Sequence, residues 1–189
     1  MGTVYLAREV QLDLLERLLA HSVPAAYALR SMSARNQRLD FRLDDLSGEP
    51  TRRLIARHLA GMHDNSPAGC VHALDADALR QSGVTFWSAW VGDEIAGCGA
   101  LTQIDAARGE LKSMRVADGF LGQGVGRALL EYLIAEAQLR GLESLWLETG
   151  SSEAFIPAIH LYESAGFARC GPFNGYVQNP FSIFMTRAI

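Results

Sequence analysis

The chain has 189 residues, with 17 Lys or Arg against 21 Asp or Glu, and its formal net charge is −4 at pH 7. This balance offers no basic surface for nucleic acid or an anionic membrane, and no apolar run approaches the roughly 18 residues that cross a bilayer. Because the N-terminus also lacks a basic segment followed by an apolar core, we expect a cytoplasmic protein that binds neither nucleic acid nor membrane.

Residues 1–37 differ in pattern from the rest of the chain. They carry an apolar stripe at helical spacing, which Pro24 interrupts and which consists of Leu14, Leu15, Leu18 and Leu19. We predict a helical N-terminal extension over 1–37, followed by a single domain over 38–189. The stripe could form a homodimer contact, and an extension with no part in catalysis is the alternative of equal weight.

From Leu39 the pattern becomes that of a mixed α/β domain. The first predicted elements are a strand at 39–43, a helix at 51–63 and a short helix at 75–81. Two β-rich runs follow, Val84–Val91 and Glu94–Thr102, and the Gly92-Asp93 pair between them predicts a hairpin. The second run contains Gly97 and Gly99, which weaken a strand unless another group closely approaches its backbone.

The centre of the chain is a strand, a glycine-rich turn and a long amphipathic helix. The strand begins at Glu110, the turn is Leu121-Gly122-Gln123-Gly124-Val125-Gly126, and the helical stripe runs to a stop at Gly141. Glycines at alternate positions allow positive φ and the close approach of a ligand, and the start of the helix presents unpaired N–H groups. This arrangement predicts a turn that binds phosphate.

Two common phosphate-binding patterns do not fit this turn. The P-loop pattern requires a Lys followed by Ser or Thr after the glycines, and that pair is absent from the required place. The dinucleotide pattern GxGxxG fails as well, because Arg127 and Leu129 occupy the place of its third glycine in the two possible registers.

The last third of the chain completes the predicted sheet. A strand at Ser144–Thr149 follows the long helix, and since such crossovers are right-handed it should lie parallel to the Glu110 strand. A helix at Pro157–Ala165 and strands at Phe167–Cys170 and Phe181–Thr186 come next. We expect a mixed, mostly antiparallel sheet of six to seven strands flanked by helices. Its one parallel pair should separate at the carboxyl ends, where a ligand can enter.

Two motifs, the glycine-rich turn at 121–126 and a run at 158–167, resemble motifs of the GNAT family of N-acetyltransferases. The turn resembles the family's [QR]-x-x-G-x-[GA] loop for the coenzyme pyrophosphate, matching at Gly124 and Gly126 and departing at Leu121. The run AIHLYESAGF, residues 158–167, resembles the A-x-x-L-Y-E-x-x-G-F signature of the same family. Residues 147–158 resemble the YsnE-type subgroup of bacterial members.

The resemblance implies the GNAT fold, with acetyl-CoA as the co-substrate. Backbone groups of Met114 and Val116 are expected to pair with the pantetheine arm, and the glycine turn is expected to hold the pyrophosphate. The coenzyme-binding residues that the resemblance implies are Met114, Arg115, Val116, Leu121, Gly122, Gln123, Gly124, Val125, Gly126, Arg127 and Tyr162.

The implied reaction is direct acetyl transfer to an amine, which must first lose a proton because an amine with a pKa of about 10.4 is protonated at neutral pH. Glu110 is the leading candidate base, and a solvated carboxylate at a strand end is its alternative. Glu148 is the second candidate and could instead bind a cationic substrate. Tyr162 takes the position of the family's tyrosine acid, with packing against the pantetheine arm as its alternative.

The acceptor, a small-molecule or peptide amine, is not identified by the sequence. Pocket candidates are His72, Trp87, Trp90, Arg115 and Tyr176, for each of which we favour a packing or surface role.

A second function stays open beside catalysis. Leu121 departs from the loop pattern, and Phe155 replaces the Asn that often precedes the A-x-x-L-Y-E signature. These departures leave the alternative of a catalytically silent acyl-CoA-binding sensor or partner-binding module on the same fold. A longer acyl chain and an oxygen acceptor are further alternatives.

Cysteine and histidine spacing argues against a disulfide framework and a metal site. Cys70, Cys98 and Cys170 are scattered without a CxxC pair, and His58 and His63 lack the HExxH spacing.

Overall fold

The computed structural model describes residues 38–65, 67, 75–80 and 83–189. The predictions of a helical extension over 1–37, of its homodimer contact and of a pocket role for His72 fall outside these residues.

The described part of the chain is a mixed α/β structure. Its strands are β1 (Asp40–Leu43), β2 (Val84–Val91), β3 (Glu94–Gln103), β4 (Arg108–Val116), β5 (Ser144–Gly150), β6 (Ala168–Cys170) and β7 (Ser182–Ala188). Its α-helices are α1 (Glu49–Asn65), α2 (Val125–Leu139) and α3 (Ile156–Ser164). Single 3₁₀ turns lie at Ala78–Arg80, Asp118–Phe120 and Glu153–Phe155. None of the helices in this part of the chain is long and apolar enough to cross a membrane.

All seven strands belong to one sheet, in the order β1-β2-β3-β4-β5-β7-β6. Every neighbouring pair is antiparallel except β4 and β5, which are parallel and connected through α2. The predicted mixed sheet and its parallel pair are therefore confirmed. The hairpin predicted at Gly92-Asp93 is also confirmed, since it joins β2 to β3.

Most element boundaries differ from the sequence prediction by one or two residues, and the starts of two helical elements show why. Helix α1 begins at Glu49, so Glu49 and Pro50 belong to its first turn and not to the turn before it. Proline suits the first turn because N–H groups there have no acceptor within the helix, so the lack of an N–H costs no hydrogen bond. The predicted short helix at 75–81 is a 3₁₀ turn at Ala78–Arg80, which Asp75 begins by accepting the Ala78 N–H at 2.8 Å.

Helices cover both faces of the sheet. On one face, α2 packs its buried Leu129, Leu130 and Leu133 against the strand residues Leu101 and Leu111. On the other face, α1 contributes Leu54 and Ile55 to a second buried cluster, with Phe86, Cys98 and Ala100 from β2 and β3.

The glycines of β3 allow helix α2 to approach the sheet closely. A Cβ added at Gly99 would lie 2.9 Å from Leu133 Cδ1, and one added at Gly97 would lie 3.0 Å from the Arg115 carbonyl oxygen. Helix α2 and strand β4 are therefore the groups that closely approach the backbone of β3 at its two glycines, as the sequence analysis expects.

Strands β4 and β5 separate after four paired positions. Arg108 pairs with Ser144 at one end of the parallel register, and Leu111 pairs with Leu147 at the other. Strand β4 then continues to Val116 with β3 as its only partner among the described strands. Beyond Leu111 and Leu147 the sheet therefore has a gap between these strands, as the sequence predicted.

A β-bulge lies in β4 at this gap. Ala100 pairs with Lys112 and Cys98 pairs with Arg115, so Ser113 and Met114 together oppose Gly99. Ser113 has a positive φ of 52°, which marks the local kink. The extra residue turns Met114 toward helix α2 and Arg115 toward helix α1, where Arg115 Nη1 lies 3.7 Å from a Cβ built on Gly61.

Candidate functional site

Two adjoining cavities open at the gap between β4 and β5. The larger, of about 570 Å³, lies between the end of β4, the glycine turn and helix α3. The smaller, of about 90 Å³, lies between α1, the strands and Tyr176 of the loop before β7. Both cavities are lined by His58, Met62, Met114, Phe155, Ala158 and Tyr162. A ligand in the larger cavity can therefore present one end to the smaller cavity.

The glycine turn forms an open cradle at one end of the larger cavity. Gly122 and Gly124 have φ values of 69° and 83°, and a Cβ built on either would meet no atom within 4 Å. Gly124 is the N-cap of α2 and makes no side-chain capping bond. Among the described residues, no backbone carbonyl or side chain accepts from the N–H groups of Val125, Gly126 or Arg127, which are the first three of the helix.

This end of α2 is suited to an anion. The unpaired N–H groups and the positive end of the helix dipole point out of the first turn. Arg127 adds a guanidinium group, which is exposed and donates to Ser164 Oγ in α3. On the neighbouring strand, Arg115 donates to Asp118 at 2.7 Å, and Asp118 also pairs with Arg57 at 3.3 Å. The two guanidinium groups hold the pKa of the Asp118 carboxyl below its ordinary value.

Most of the predicted coenzyme-binding residues line the larger cavity. They are Met114, Arg115, Val116, Leu121, Gly122, Val125, Gly126, Arg127 and Tyr162. Gln123 and Gly124 do not line it: the Gln123 side chain donates to the Gly119 carbonyl at 2.7 Å, and Gly124 caps the helix. Leu121, at the place where the family pattern has Gln or Arg, is 60% exposed at the rim.

Tyr162 lies where the two cavities meet. Helix α3 holds its ring in the core beside Phe167, with ring centroids 5.9 Å apart. Burial raises the pKa of the Tyr162 phenol to about 12, so the group carries its proton at neutral pH. A protonated phenol beside the cleft can donate a hydrogen bond or a proton to a ligand atom.

Glu110 lies in the smaller cavity, in a closed ring of hydrogen bonds. Its side chain is almost fully buried, and Oε1 accepts from the Tyr176 hydroxyl at 2.6 Å and pairs with Lys112 Nζ at 2.7 Å. Lys112 Nζ also donates to the Tyr176 hydroxyl oxygen at 2.6 Å. The ring connects β4 to the loop at 171–181 and neutralises the buried carboxylate.

Glu148 contributes a second carboxylate to the smaller cavity. It lies on the same face of the sheet as Trp146 and Glu110, because side chains alternate along β5 and Glu110 is in register with Trp146. Burial, the hydrogen bond to Glu110, and the charges of Glu110 and Glu148 together raise the pKa of Tyr176. Two carboxylates and one ammonium group therefore face this cavity.

His58 is a residue of the site that the sequence did not predict. It lies on α1, lines both cavities, and has a pKa lowered to about 4 by burial and by the charge of Arg115. Its imidazole is therefore neutral at pH 7. The one signal for His58 in the sequence is its position on the apolar face of α1, and a residue of the hydrophobic core would have the same position.

The other predicted pocket candidates have different places. Trp87 packs in the core against Tyr132, and Trp90 stacks under Arg42, whose Cζ lies 4.8 Å from the ring centroid. Neither lines the two cavities, and these contacts agree with the packing or surface role that the sequence favours. For Tyr176 the favoured packing role was incomplete, because its hydroxyl lies in the smaller cavity and bonds to Glu110.

The residues present fit a coenzyme that carries a diphosphate. The cradle offers unpaired N–H groups and open space, the bulged end of β4 lies beside the gap, and the larger cavity leads from the cradle to Tyr162. No cluster of three or more His, Cys, Asp or Glu suited to a metal ion occurs among residues 38–65, 67, 75–80 and 83–189.

Comparison with known proteins identifies the family. The acetyltransferase (GNAT) family model matches residues 36–167. The chain is 47% identical over 151 residues to YsnE of Bacillus subtilis, described as an uncharacterized N-acetyltransferase, covering 80% of this chain and all of YsnE. It is 44% identical over 143 residues to YedL of Escherichia coli, also described so, covering 76% of this chain and 90% of YedL. The predicted resemblance to the YsnE-type subgroup is therefore confirmed.

Solved structures agree with this assignment. An acyl-CoA N-acyltransferase of Klebsiella pneumoniae superposes with a TM-score of 0.64 at 26% identity, covering 79% of this chain and 97% of that one. A GNAT family acetyltransferase of Elizabethkingia anophelis, solved with acetyl-CoA bound, superposes with a TM-score of 0.53 at 20% identity, covering 80% of this chain and 98% of that one. The chain belongs to the GNAT family of acetyltransferases, and acetyl-CoA is its co-substrate.

Proposed function

We propose that this protein transfers an acetyl group from acetyl-CoA directly to a primary amine that binds in the smaller cavity. The observation that carries the proposal is the direct connection between the larger cavity, with its anion cradle, and a pocket lined by Glu110, Glu148 and Tyr162. The coenzyme supplies a thioester whose acyl carbon an amine can attack, with release of the thiol.

The coenzyme is held by three parts of the chain. The N–H groups of Val125, Gly126 and Arg127 bind the diphosphate, since they have no other partner among the described residues. On the side of the gap, no described strand pairs with the backbone of β4 at Met114 and Val116, which binds the amides of the pantetheine arm instead. Helix α3 closes the cleft from the other side with Leu161 and Tyr162.

Glu148 is the base that accepts the proton of the ammonium group. Glu110 lies in the same pocket, but its side chain is almost fully buried and its Oε1 already accepts from Tyr176 and Lys112, so it makes the contacts that hold the loop at 171–181. Glu110 is therefore a positioning residue, which holds Tyr176 and the loop at 171–181 over the pocket.

Tyr162 is the acid that protonates the departing thiolate. Its phenol lines both cavities and keeps its proton at neutral pH, because burial raises the pKa of the group to about 12. General acid or base catalysis by a positioned side chain is typically worth about 10² to 10⁴ in rate.

The acceptor presents a small, positively charged end. A pocket of about 90 Å³ admits only a few non-hydrogen atoms, so the amine and its nearest carbons enter and the rest of the acceptor stays outside. Two carboxylates against one ammonium group in the pocket favour a cation.

Titration calorimetry with acetyl-CoA, together with a thiol-release assay over amines, amino acids and peptides, tests the function. We expect binding of the coenzyme and turnover with at least one primary amine. Binding without turnover on any acceptor would contradict the enzyme assignment and support a coenzyme-binding sensor instead.

Matched glutamine variants test which glutamate is the base. Glu148→Gln should lower kcat by about 10² or more, with little change in coenzyme affinity. Glu110→Gln should mainly raise KM for the acceptor and change kcat much less. The reverse result would make Glu110 the base.

A further inference from the structure

Phe155 takes the place of a side chain that strand β5 lacks. A Cβ built on Gly150 would lie 2.2 to 2.7 Å from three carbons of the Phe155 ring, so the ring lies directly on the Gly150 backbone. Side chains alternate along a strand, and a side chain at position 150 would point to the same face as Glu148. The aromatic ring therefore forms the next part of the pocket wall after Glu148.

Phe155 joins the 3₁₀ turn Glu153–Phe155 to helix α3 with helical backbone angles, φ −96° and ψ −4°. Such a backbone accepts most residue types and does not call for an aromatic side chain. The contacts of Phe155 with Gly150 and with both cavities supply a reason for the residue that the local backbone does not.

Phe155 also belongs to the boundary between the two cavities. The other residues that line both are His58, Met62, Met114, Ala158 and Tyr162. Four of these six side chains are apolar, and Phe155 is the largest of them. The ring cannot move toward β5, since it already rests on the backbone of Gly150.

We infer that Phe155 limits the length of the acyl chain that the protein accepts. The inference rests on the proposed function, because an acyl group passed from the larger cavity to an amine in the smaller one must lie at their boundary. There the ring leaves room for an acetyl group and excludes the added methylenes of a butyryl group. A single methylene is discriminated by about 10- to 200-fold in hydrophobic pockets.

Calorimetric titration with CoA, acetyl-CoA and butyryl-CoA measures this limit without requiring a known acceptor. The wild-type protein should bind CoA and acetyl-CoA, and should bind butyryl-CoA at least about tenfold more weakly than acetyl-CoA. Phe155→Ala should bind acetyl-CoA and butyryl-CoA with affinities within about twofold of each other. Phe155→Leu, which keeps more of the packing, should give an intermediate ratio.

A substitution at the contacting glycine provides an independent test. Gly150 does not have a positive φ, so Gly150→Ala is compatible with the backbone and clashes only with the Phe155 ring among the atoms nearest to it. The variant should push the ring into the boundary and weaken acetyl-CoA binding relative to CoA. The double variant Gly150→Ala/Phe155→Ala should restore that binding, because the clash is absent.

Ile156→Ala is the matched control. Ile156 follows Phe155, is exposed and lines neither cavity, so its variant should keep the wild-type affinity ratio. An unchanged ratio of butyryl-CoA to acetyl-CoA affinity in Phe155→Ala, or a wild-type protein that binds the two equally, would overturn the inference while leaving the proposed function in place. A wild-type protein that binds no CoA would overturn the proposed function itself.

Discussion

His58 connects the stability of the protein to pH through its partly buried imidazole. Its pKa falls from 6.5 to about 4, because burial and the charge of Arg115 disfavour the protonated form in the folded state. The unfolded chain then binds the proton more readily, so stability is lost as pH falls from about 6.5 toward 4. At 1.36 kcal/mol per pKa unit, the loss is of the order of 3 kcal/mol.

Urea denaturation at several pH values measures this effect. The free energy of unfolding of the wild-type protein should fall between pH 7 and about pH 4, and His58→Gln should show a smaller fall by about 3 kcal/mol. His63→Gln is the control, since His63 is exposed at the end of the same helix. Equal pH dependence in the wild-type and His58→Gln proteins would contradict the lowered pKa of the imidazole.

Tyr162 should act as a protonated phenol over the whole working range of the enzyme. Because burial raises its pKa to about 12, the group does not ionise below about pH 10. Tyr162→Phe should therefore lower kcat by a factor of about 10² to 10⁴ that stays constant from neutral to mildly alkaline pH. A ratio of wild-type to variant rates that approaches one above about pH 9 would contradict this protonation state.

Lys112 stabilises the buried carboxylate of Glu110. Its ammonium group makes an ion pair of 2.7 Å with Glu110 Oε1, and both side chains are largely buried. Lys112→Met leaves that carboxylate without its ionic partner and should lower the free energy of unfolding by about 3 kcal/mol. The double variant Glu110→Gln/Lys112→Met should recover most of this loss, and equal losses in both would show that the ion pair is not responsible.

At the scale of elements, Gly97 controls the distance between β3, the bulged end of β4 and the first turn of α2. A Cβ at position 97 would lie 3.0 Å from the Arg115 carbonyl oxygen and 3.3 Å from Val125 Cγ1. Gly97→Ala should therefore displace the anion cradle, weaken CoA binding about tenfold, and cost about 1 to 3 kcal/mol of stability through overpacking. Gly171→Ala, where a Cβ meets nothing within 4 Å, should change neither quantity in calorimetry and urea denaturation.

The elements themselves were largely predictable, because they depend on local patterns. The Gly92-Asp93 hairpin and the stop of α2 at Gly141, whose φ is 74°, follow from the conformational freedom of glycine. The bulge at Ser113 and Met114 was not predictable, because the residues of β4 show no glycine or proline there. It arises from pairing with β3, which is a contact between distant parts of the chain.

At the scale of the whole molecule, the site also combines features that local sequence predicts with features that depend on contacts between distant residues. Glu110 and Lys112 are two residues apart on one strand, so the sequence alone indicates that their side chains lie on the same face of the sheet. Their partner Tyr176 and the imidazole of His58 come from a loop and a helix without a motif, each more than forty residues away from Lys112 in the chain. Only the folded sheet brings these residues to one pocket.

Coenzyme binding should stabilise the whole described domain, because the cleft is built from β4, α2 and α3 together. At a CoA concentration of 100 times Kd the added free energy is about 2.7 kcal/mol, which corresponds to a rise in Tm of roughly 5 to 10 °C for a protein of this size. Thermal denaturation measures the shift. Pantetheine, which lacks the diphosphate, should give a much smaller shift at the same concentration, and an equal one would contradict the role of the anion cradle.

The extra residue at Ser113 and Met114 decides which way the end of strand β4 faces. If β4 kept all its residues but paired regularly with β3, Met114 would point at helix α1, and the guanidinium group of Arg115 would enter the leucine core beneath helix α2. Loss of one residue at Ser113 would also make the pairing regular, but Arg115 would stay opposite Cys98 and keep its face. Functional descendants of this sequence should therefore carry either the bulge or a β4 that is one residue shorter between Lys112 and Arg115, but not a regular strand of the present length.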